Sequence, residues 1–247
     1  MASEKPVIVI VPGAWHDPSS FDPVSSRLRA EGYEVAGVNL ASVNSTSKPQ
    51  PDFQADVDVI RAIVKAAITK GKDVVLVMHS YGGIPGAEAI KGLTKQDTGG
   101  AGVVHLFFCC AFALPEGVSL KDALPGGKPL DWFVISNDEM IVNPATPTET
   151  FYNDMDSKAV AAALKDIRPF SYQSFSSKVS YAGWKHVPST YLFCEKDMAI
   201  PIQAQKGMVE SSGVQWKTEI LNTGHSPFIS MPEETAKAIR RAAGESI

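Results

Sequence analysis

Residues 74–83 constrain the fold of this chain more than any other stretch. Five apolar residues, mostly β-branched, run directly into the sequence His79-Ser80-Tyr81-Gly82-Gly83. A continuous apolar run of this length is typical of a strand buried on both faces of a parallel sheet. Residues 84–90 have helical character, and Pro85 suits a first helical turn. The pattern predicts a sharp strand-to-helix turn at Ser80, where the glycines allow the strand and the helix to approach closely.

A serine at such a turn is a candidate nucleophile. The turn lifts the hydroxyl above the edge of the sheet and places it at a helix N-terminus, which favours negative charge. The usual pattern is G-x-S-x-G, and Met78 stands here at the position of the first glycine. The alternative is an ordinary strand-turn-helix with a surface serine, so the motif depends on support from the rest of the chain.

Length, composition and charge limit the class of protein. A chain of 247 residues suffices for one α/β domain with an insertion. The content of 44% hydrophobic and 20% charged residues is typical of a globular protein. A net charge of -4 argues against a nucleic-acid partner. Neither an apolar run of the ~20 residues that cross a bilayer nor a secretory signal is evident, so we expect a cytoplasmic protein without a membrane partner.

The chain contains three cysteines, Cys109, Cys110 and Cys194, and each ends an apolar run. An odd number of cysteines without a secretory signal fits a reducing compartment. We expect small buried thiols rather than metal ligands, since no spacing resembles a zinc site. The sequence therefore predicts neither a metal nor a cofactor.

Strand and helix patterns alternate along the first half of the chain and resume near residue 187. Apolar runs predict strands over 7–11, 34–38, 74–78, 103–108, 189–194 and 215–221. Helical spacing predicts helices over 21–31, 53–70, 84–90, 204–211 and 232–243. Residues 41–52 and 93–102 are predicted to be loops. This alternation predicts an α/β fold with about six strands in a mainly parallel sheet flanked by helices.

Residues 113–186 interrupt the alternation. This segment is rich in proline and aromatic residues, has one clear helical pattern at about 157–166, and is too long for a loop of a compact domain. We expect a core of residues 1–112 and 187–247 and an inserted cap of residues 113–186. The aromatic residues indicate a lid over an apolar pocket, although such rings also pack a cap onto a core.

Three residues that together support nucleophilic catalysis follow three of the predicted strands. Ser80, Asp197 and His225 all fall at carboxyl ends, where open α/β sheets form their sites. Serine needs a base, and histidine is the natural base near neutral pH. A carboxylate fixes the imidazole tautomer and stabilises the imidazolium. The sequence therefore predicts a catalytic triad of these residues.

Other acidic residues compete for the role of Asp197. Glu195 lies two residues earlier and is expected to point to the other face. Asp138 and Glu139 lie within the predicted cap and suit a surface turn.

Other histidines compete for the role of His225. His79 adjoins the candidate serine but should point elsewhere, because neighbouring side chains on a strand alternate. His186 precedes the strand 189–194 and so lies at the wrong end of the sheet. His105 lies inside the strand 103–108 and is predicted to be a hydrogen-bonded core or edge histidine.

The loop Pro12-Gly13-Ala14-Trp15-His16 follows the first predicted strand. Its small residues allow a backbone N–H to approach the reacting centre. We expect an oxyanion hole made by the N–H of Ala14 or Trp15 together with the N–H of Tyr81. The predicted lining of the substrate pocket is His16, Trp132, Phe133, Phe151 and Tyr152.

With these motifs in place, the chain resembles the α/β-hydrolase superfamily over nearly its whole length. It is most similar to the cofactor-free branch that includes plant methylesterases and hydroxynitrile lyases. The shared motifs are residues 12–16, 79–83 and 194–201 and the pair Gly224-His225. Pro12 and Met78 replace a histidine and a glycine that are usual in this branch. In the loop at Pro12 and in Met78, the chain resembles fungal members of the superfamily, many of which are accessory proteins of secondary metabolism. The resemblance implies an α/β-hydrolase fold whose six-stranded sheet starts at the superfamily's third strand.

Three functions fit these features. The leading hypothesis is a serine hydrolase that cleaves a carboxylic ester or lactone of an apolar, aromatic or polyketide-like small molecule. The second is a lyase or isomerase in which the triad only moves protons, favoured if a charged side chain such as Lys121, Lys128 or Lys185 lay near the serine. The third is a receptor that binds a small molecule without turnover. An exposed edge strand of such a sheet also allows a homodimer.

Overall fold

The structure is a computed structural model that describes residues 4–247. The strands are β1 (Val7–Val11), β2 (Val35–Gly37), β3 (Val74–His79), β4 (Val103–Cys109), β5 (Phe133–Ile135), β6 (Ile141–Pro144), β7 (Phe170–Ser171), β8 (Ser189–Cys194) and β9 (Lys217–Leu221). The α-helices are α1 (Asp22–Ala30), α2 (Gln54–Thr69), α3 (Gly83–Ala89), α4 (Lys95–Thr98), α5 (Leu120–Ala123), α6 (Pro147–Phe151), α7 (Ser157–Ala163), α8 (Ile202–Ser211), α9 (Pro227–Ser230) and α10 (Pro232–Ala242).

Six of the strands form one parallel sheet in the order β2-β1-β3-β4-β8-β9. Every residue of β1, β3 and β8 is buried, which explains their uninterrupted apolar runs. The predicted six-stranded parallel sheet is confirmed. Because all six strands run the same way, the residues that follow β3, β8 and β9 meet at one edge of the sheet.

Helices cover both faces of this sheet. Side chains of α1 and α10 pack with those of β1, β3 and β4 that face them, in one apolar cluster. Side chains of α2, α3 and α8 pack on the opposite face. They belong to a second apolar cluster, which also includes apolar side chains from residues 113–187. The helices therefore flank the sheet as the alternating sequence pattern predicts.

The segment between β4 and β8 contains a second, antiparallel sheet in the order β5-β6-β7. The sequence pattern did not predict these strands, because none of them exceeds four residues and none shows a clear alternation. The predicted helix at about 157–166 is α7 followed by a short 3-10 turn, Leu164–Asp166.

Two short helices outside residues 113–186 lie where the sequence pattern predicts no helix. Helix α4 lies within the predicted loop 93–102, and Thr94 and Asp97 form a capping box at its start. Helix α9 follows His225 and begins at Pro227. Both have only four residues, too few for a helical periodicity to show in the sequence. Within residues 4–247, no helix combines the length and apolar character needed to cross a membrane.

Candidate active site

Ser80 lies in a strained turn directly after β3. Its φ of 51° is in the left-handed region, which costs a non-glycine residue about 1–3 kcal/mol. A 3-10 turn, Ser80–Gly82, leads from β3 into α3. A Cβ on Gly82 would lie 2.4 Å from the Pro12 carbonyl oxygen, and one on Gly83 would lie 2.4 Å from the Phe112 carbonyl oxygen. Both glycines are therefore required by the close approach of backbone on either side of the turn.

Met78 is accommodated by a glycine on the neighbouring helix. A Cβ on Gly86 of α3 would lie 2.6 Å from Met78 Sδ and 2.8 Å from Met78 Cγ. The Met78 side chain thus fills the space over a helical glycine, and its own position is fully buried. The strand and the helix still approach closely, with the glycine on the helix instead of the strand.

Asp197 and His225 form a buried hydrogen-bonded pair. His225 Nδ1 lies 2.7 Å from Asp197 Oδ2, and the two residues are 2% and 4% exposed. The other carboxylate oxygen, Oδ1, accepts hydrogen bonds from the backbone N–H groups of Ala199 and Ile200, both at 2.8 Å. An acceptor at Nδ1 holds the imidazole in the tautomer that leaves Nε2 free to accept a proton.

Gln205 on α8 supports this carboxylate. Its Nε2 donates to Asp197 Oδ2 at 3.2 Å and to the Ile200 carbonyl at 2.7 Å. Its Oε1 accepts from the backbone N–H of Cys194 at 3.1 Å. The amide therefore ties the end of β8 to the loop that carries Asp197. No motif predicts this role, which arises from a helix folding back over a strand end.

His79 lies beside His225 but does not compete with it. Its Nε2 is 2.9 Å from the His225 carbonyl oxygen, and the two ring centroids are 4.6 Å apart. Burial, followed by the electrostatic influence of His225 and His16, holds the pKa of His79 well below its usual range. A neutral His79 can donate to the carbonyl from Nε2, so it supports the backbone of the candidate base.

One cluster of metal-ligand side chains lies at this point, formed by His79, Cys110 and His225. Their ligand atoms lie within 4.8 Å of one another, and all three residues are buried. The Cys110 thiol donates to the His225 carbonyl oxygen at 3.4 Å, and His79 Nε2 lies 2.9 Å from the same oxygen. Because Asp197 also engages His225 Nδ1, the cluster fits a packed support for the histidine better than a metal centre.

The loop after β1 lies against the serine turn. A Cβ on Gly13 would lie 2.8 Å from Ser80 Cβ and 2.9 Å from His79 Nδ1, so no larger residue fits there without movement. Ala14 and Trp15 line the same pocket as Ser80 and Tyr81. Trp15 has a φ of 66°, and its indole Nε1 donates to the Val142 carbonyl at 2.9 Å. The structure thus brings together the three residues predicted to supply the oxyanion hole.

The pocket over Ser80 is small, with a cavity volume of about 30 Å³, and its lining is apolar. It is lined by Ala14, Trp15, Ser80, Tyr81, Phe112, Leu120, Leu124, Leu130, Trp132, Phe133, Phe151, Phe175, Ala199 and Ile200. Of the predicted pocket residues, the structure places Trp132, Phe133 and Phe151 in this lining. The leucines and Phe175 went unrecognised because isolated apolar residues in an irregular segment give no periodic signal.

His16 and Tyr152, also predicted to line the pocket, are absent from that lining. They lie next to Phe151, and His16 Nε2 is 2.8 Å from the Tyr152 hydroxyl oxygen. His16 Nδ1 lies 2.8 Å from the Ala14 carbonyl oxygen, which places this hydrogen-bonded pair beside the pocket wall. Burial lowers the pKa of His16 to about 4, against the opposing effect of the hydrogen bond to Ala14.

The three lysines considered as acid-base groups do not line the pocket. Lys121 Nζ lies 3.8 Å from the centroid of the Tyr172 ring, and Lys185 pairs with Glu116. Lys128 is exposed. Glu195, the alternative acid, is exposed as well, while its neighbour Asp197 is buried.

Tyr81 is fixed by a buried carboxyl group that no sequence motif indicates. Its hydroxyl donates to Asp56 Oδ2 at 2.7 Å, and the backbone N–H of Ser42 donates to Oδ1 at 2.8 Å. Burial raises the pKa of Asp56 above its usual range. Helix α2, which carries Asp56, thereby anchors the residue that follows Ser80.

The chain belongs to the alpha/beta hydrolase family, whose family model matches residues 8–238. It is similar to "Alpha/beta hydrolase nvfD" of Aspergillus novofumigatus, with 36% identity and 98% of each chain covered. It is also similar to "Methylesterase 7" of Arabidopsis thaliana, with 24% identity and 92% of each chain covered. The crystal structure of a pyrethroid hydrolase from Sphingobium faniae shares the fold, with a TM-score of 0.80 and 21% identity. The match covers 96% of this chain and 97% of that chain.

Proposed function

We propose that this protein is a serine hydrolase that cleaves a carboxylic ester or lactone of an apolar small molecule. Ser80 attacks the acyl carbon, His225 accepts the serine proton at Nε2, and Asp197 orients and stabilises the imidazolium. The backbone N–H groups of Tyr81 and of Ala14 or Trp15 stabilise the oxyanion. His225 then passes the proton to the leaving alcohol, and water releases the acyl group from Ser80.

One observation carries this proposal: a buried, hydrogen-bonded His225–Asp197 pair lies beside the pocket that contains Ser80. Phe151 links the two, because its ring centroid is 5.7 Å from that of His225 and the same ring lines the pocket. Among the described residues, no hydrogen bond joins the Ser80 hydroxyl to His225. Such contacts are often looser before substrate binds than in the reacting complex.

Because the pocket is apolar, we propose that it binds a neutral, apolar part of the substrate, which is either the acyl group or the alcohol group. A charged group would lose its hydration among leucine and aromatic side chains without gaining a partner. Residues 113–186 supply most of these side chains, and we propose that they act as the cap over the site. The names of relatives such as "Methylesterase 7" and "Polyneuridine aldehyde esterase" support ester cleavage.

A cofactor-free lyase or isomerase on the same scaffold is the alternative. It would use Ser80, His225 and Asp197 to move protons without an acyl-enzyme. A charged cap residue in the pocket would favour it, and the described lining contains none. The observed lining therefore favours hydrolysis.

The proposal is tested by pre-steady-state kinetics on a panel of activated aryl esters and lactones with apolar acyl groups. With the aryl esters we expect a burst of released phenol equal to the enzyme concentration, and with both substrate types an acyl group attached to Ser80 in the intact mass. The variant Ser80→Ala should lose both, whereas Ser211→Ala, an exposed serine on α8, should keep both. Turnover retained by Ser80→Ala would contradict acyl transfer through this residue.

The proposal includes a reducing, cytoplasmic location and a homodimer paired through an edge of the sheet. The three cysteines are buried and unpaired, which supports the location.

The edge strand β9 carries the half-exposed Ile220, which supports the dimer. Light scattering should give twice the 26.5 kDa of the chain, and a mass of 26.5 kDa would contradict the dimer.

A further inference from the structure

Four consecutive residues at the end of α6, Phe151-Tyr152-Asn153-Asp154, contact three of the loops that surround the candidate active site. We call these four residues the clasp. The loops are residues 12–16, residues 195–199 and residues 222–226. The clasp belongs to the segment between β4 and β8, whereas the three loops all follow strands of the main sheet. It is therefore a connection between the proposed cap and the reacting centre.

Asp154 holds the loop that carries His225. Its Oδ2 accepts hydrogen bonds from the Gly224 backbone N–H at 2.8 Å and from the Thr223 hydroxyl at 2.5 Å. Gly224 directly precedes the candidate base, so this contact fixes the backbone from which the imidazole projects. A Cβ on Gly224 would lie 2.2 Å from Asn153 Oδ1 and 2.9 Å from Asp154 Oδ1. A side chain at residue 224 would therefore displace the side chains of Asn153 and Asp154.

Asn153 holds the loop that carries Asp197. Its Nδ2 donates to the Lys196 carbonyl at 2.9 Å, one residue before the candidate acid. The Lys196 backbone N–H in turn donates to the Thr223 carbonyl at 2.9 Å. Two adjacent side chains of the clasp thus bond to two loops that also bond to each other, and these loops supply the two members of the His225–Asp197 pair.

The first half of the clasp contacts the remaining loop and the imidazole. The Tyr152 hydroxyl lies 2.8 Å from His16 Nε2, and His16 Nδ1 lies 2.8 Å from the Ala14 carbonyl oxygen. The Phe151 ring packs against the His225 ring with centroids 5.7 Å apart. Every residue of the clasp therefore has a distinct partner near a proposed catalytic group.

We propose that Asn153 and Asp154 are positioning residues that set the His225–Asp197 geometry from the cap. This inference rests on the proposed hydrolase function. The acid and the base lie on separate loops after β8 and β9, so their relative position depends on contacts between those loops. A displacement of about 1 Å in a catalytic group can reduce a rate by about a hundredfold, so a rigid link between the loops has catalytic value.

The test uses two measurements on the full chain. The first is the rate at which a fluorophosphonate labels Ser80, measured as a function of pH. The second is the downfield proton NMR signal of the His225 Nδ1–H that is hydrogen-bonded to Asp197, which requires no activity. The variants are Asp154→Ala, Asp154→Asn and Asn153→Ala. The matched control is Asp156→Ala, which removes a carboxylate two residues away that caps α7 by accepting from the Ala159 N–H.

We expect Asp154→Ala and Asn153→Ala to slow labelling by at least about tenfold, to shift its pH profile, and to weaken the downfield signal. Asp154→Asn keeps an acceptor oxygen for the Gly224 N–H and should recover most of both readouts. The control should match the wild type.

A folded Asp154→Ala with the labelling rate and the NMR signal of the control would overturn the inference. If Asp154→Ala does not fold, Asn153→Ala decides, because Asn153 is exposed and its loss leaves no buried gap. A wild type that the fluorophosphonate does not label would refute the hydrolase proposal. In that case, loss of the NMR signal in Asp154→Ala would still support the positioning of His225 by the clasp.

Discussion

Asp197 uses both oxygens of its carboxylate, and this fixes the orientation of any side chain that replaces it. Oδ1 accepts two backbone N–H groups, while Oδ2 faces His225 Nδ1 and Gln205 Nε2. An asparagine would keep its oxygen toward the two N–H groups, so its NH₂ group would face the histidine. Nδ1 would then have to accept, and Nε2 would carry the proton.

We therefore expect Asp197→Asn to lower kcat by about 10⁴-fold, because an Nε2 that already carries a proton cannot accept one from Ser80. The KM should change little, since the pocket lining is untouched. Steady-state kinetics with a cleaved ester measures both constants. Glu195→Gln is the matched control, as Glu195 is the exposed neighbouring acid that the sequence leaves as an alternative. A large loss in Glu195→Gln and none in Asp197→Asn would reverse the assignment.

At the scale of single residues, the sequence predicts the site residues that directly follow strands. It does not predict those that act through contacts with distant parts of the chain. The candidate triad is recognisable because the positions after β3, β8 and β9 follow strong apolar patterns. Gln205, Asp56 and Asp154 give no such signal, since their partners lie 8 to 70 residues away. The prediction for His16 and Tyr152 shows the same limit, because proximity to the site does not specify which side chains face the cavity.

At the scale of elements, the contact between β3 and α3 explains the unusual motif. Met78 and Gly86 are complementary, since the two atoms nearest to a Cβ on Gly86 would be the sulfur and Cγ of Met78, followed by Leu76 Cδ2 at 3.6 Å. A larger residue on the strand is thus matched by the absence of a side chain on the helix.

This complementarity predicts strong coupling between the two positions. Met78→Ala should cost about 2–5 kcal/mol of unfolding free energy through the cavity it leaves. Gly86→Ala alone should also be destabilising, because the new methyl group overlaps Met78. The double variant should be more stable than the sum of the single effects predicts, as the methyl group fills part of the cavity and alanine favours the helix. Urea unfolding of all four proteins measures this, and additive effects would contradict the packing described here.

The elements differ in how far the sequence predicts them. The long buried strands and α2 are recognisable because each has a sustained apolar or helical period. The antiparallel sheet is not, because β5, β6 and β7 have two to four residues each and β7 pairs with a strand about 30 positions earlier. Short strands of this kind are determined by tertiary packing instead of local sequence preference.

At the scale of the whole molecule, three buried histidines link stability to pH. Burial lowers the pKa of His16 and of His105 to about 4 and holds that of His79 well below its usual range. In the unfolded chain these residues titrate near 6.5. Between these values the unfolded chain binds more protons than the folded one, so the unfolding free energy falls as the pH falls.

We expect the urea midpoint to decrease as the pH falls from about 6.5 to about 4. Below about pH 4, His16 and His105 are protonated in both the folded and the unfolded protein, so they add no further decrease. His105→Gln keeps a polar group for Thr190, whose hydroxyl oxygen lies 2.8 Å from His105 Nε2, and should flatten the decrease. His186→Gln, at an exposed histidine stacked on Tyr181, is the control and should follow the wild-type curve. An unchanged slope in His105→Gln would show that burial of this histidine does not contribute.

The central claim for the whole molecule is that the fold converts Ser80 into an activated nucleophile. The most direct measurement is the intact mass after fluorophosphonate treatment of the wild type, Ser80→Ala and His225→Ala. We predict one adduct on the wild type, none on Ser80→Ala and strongly slowed labelling of His225→Ala. A folded wild type that remains unlabelled, or a Ser80→Ala variant that is labelled as fast as the wild type, would contradict the account.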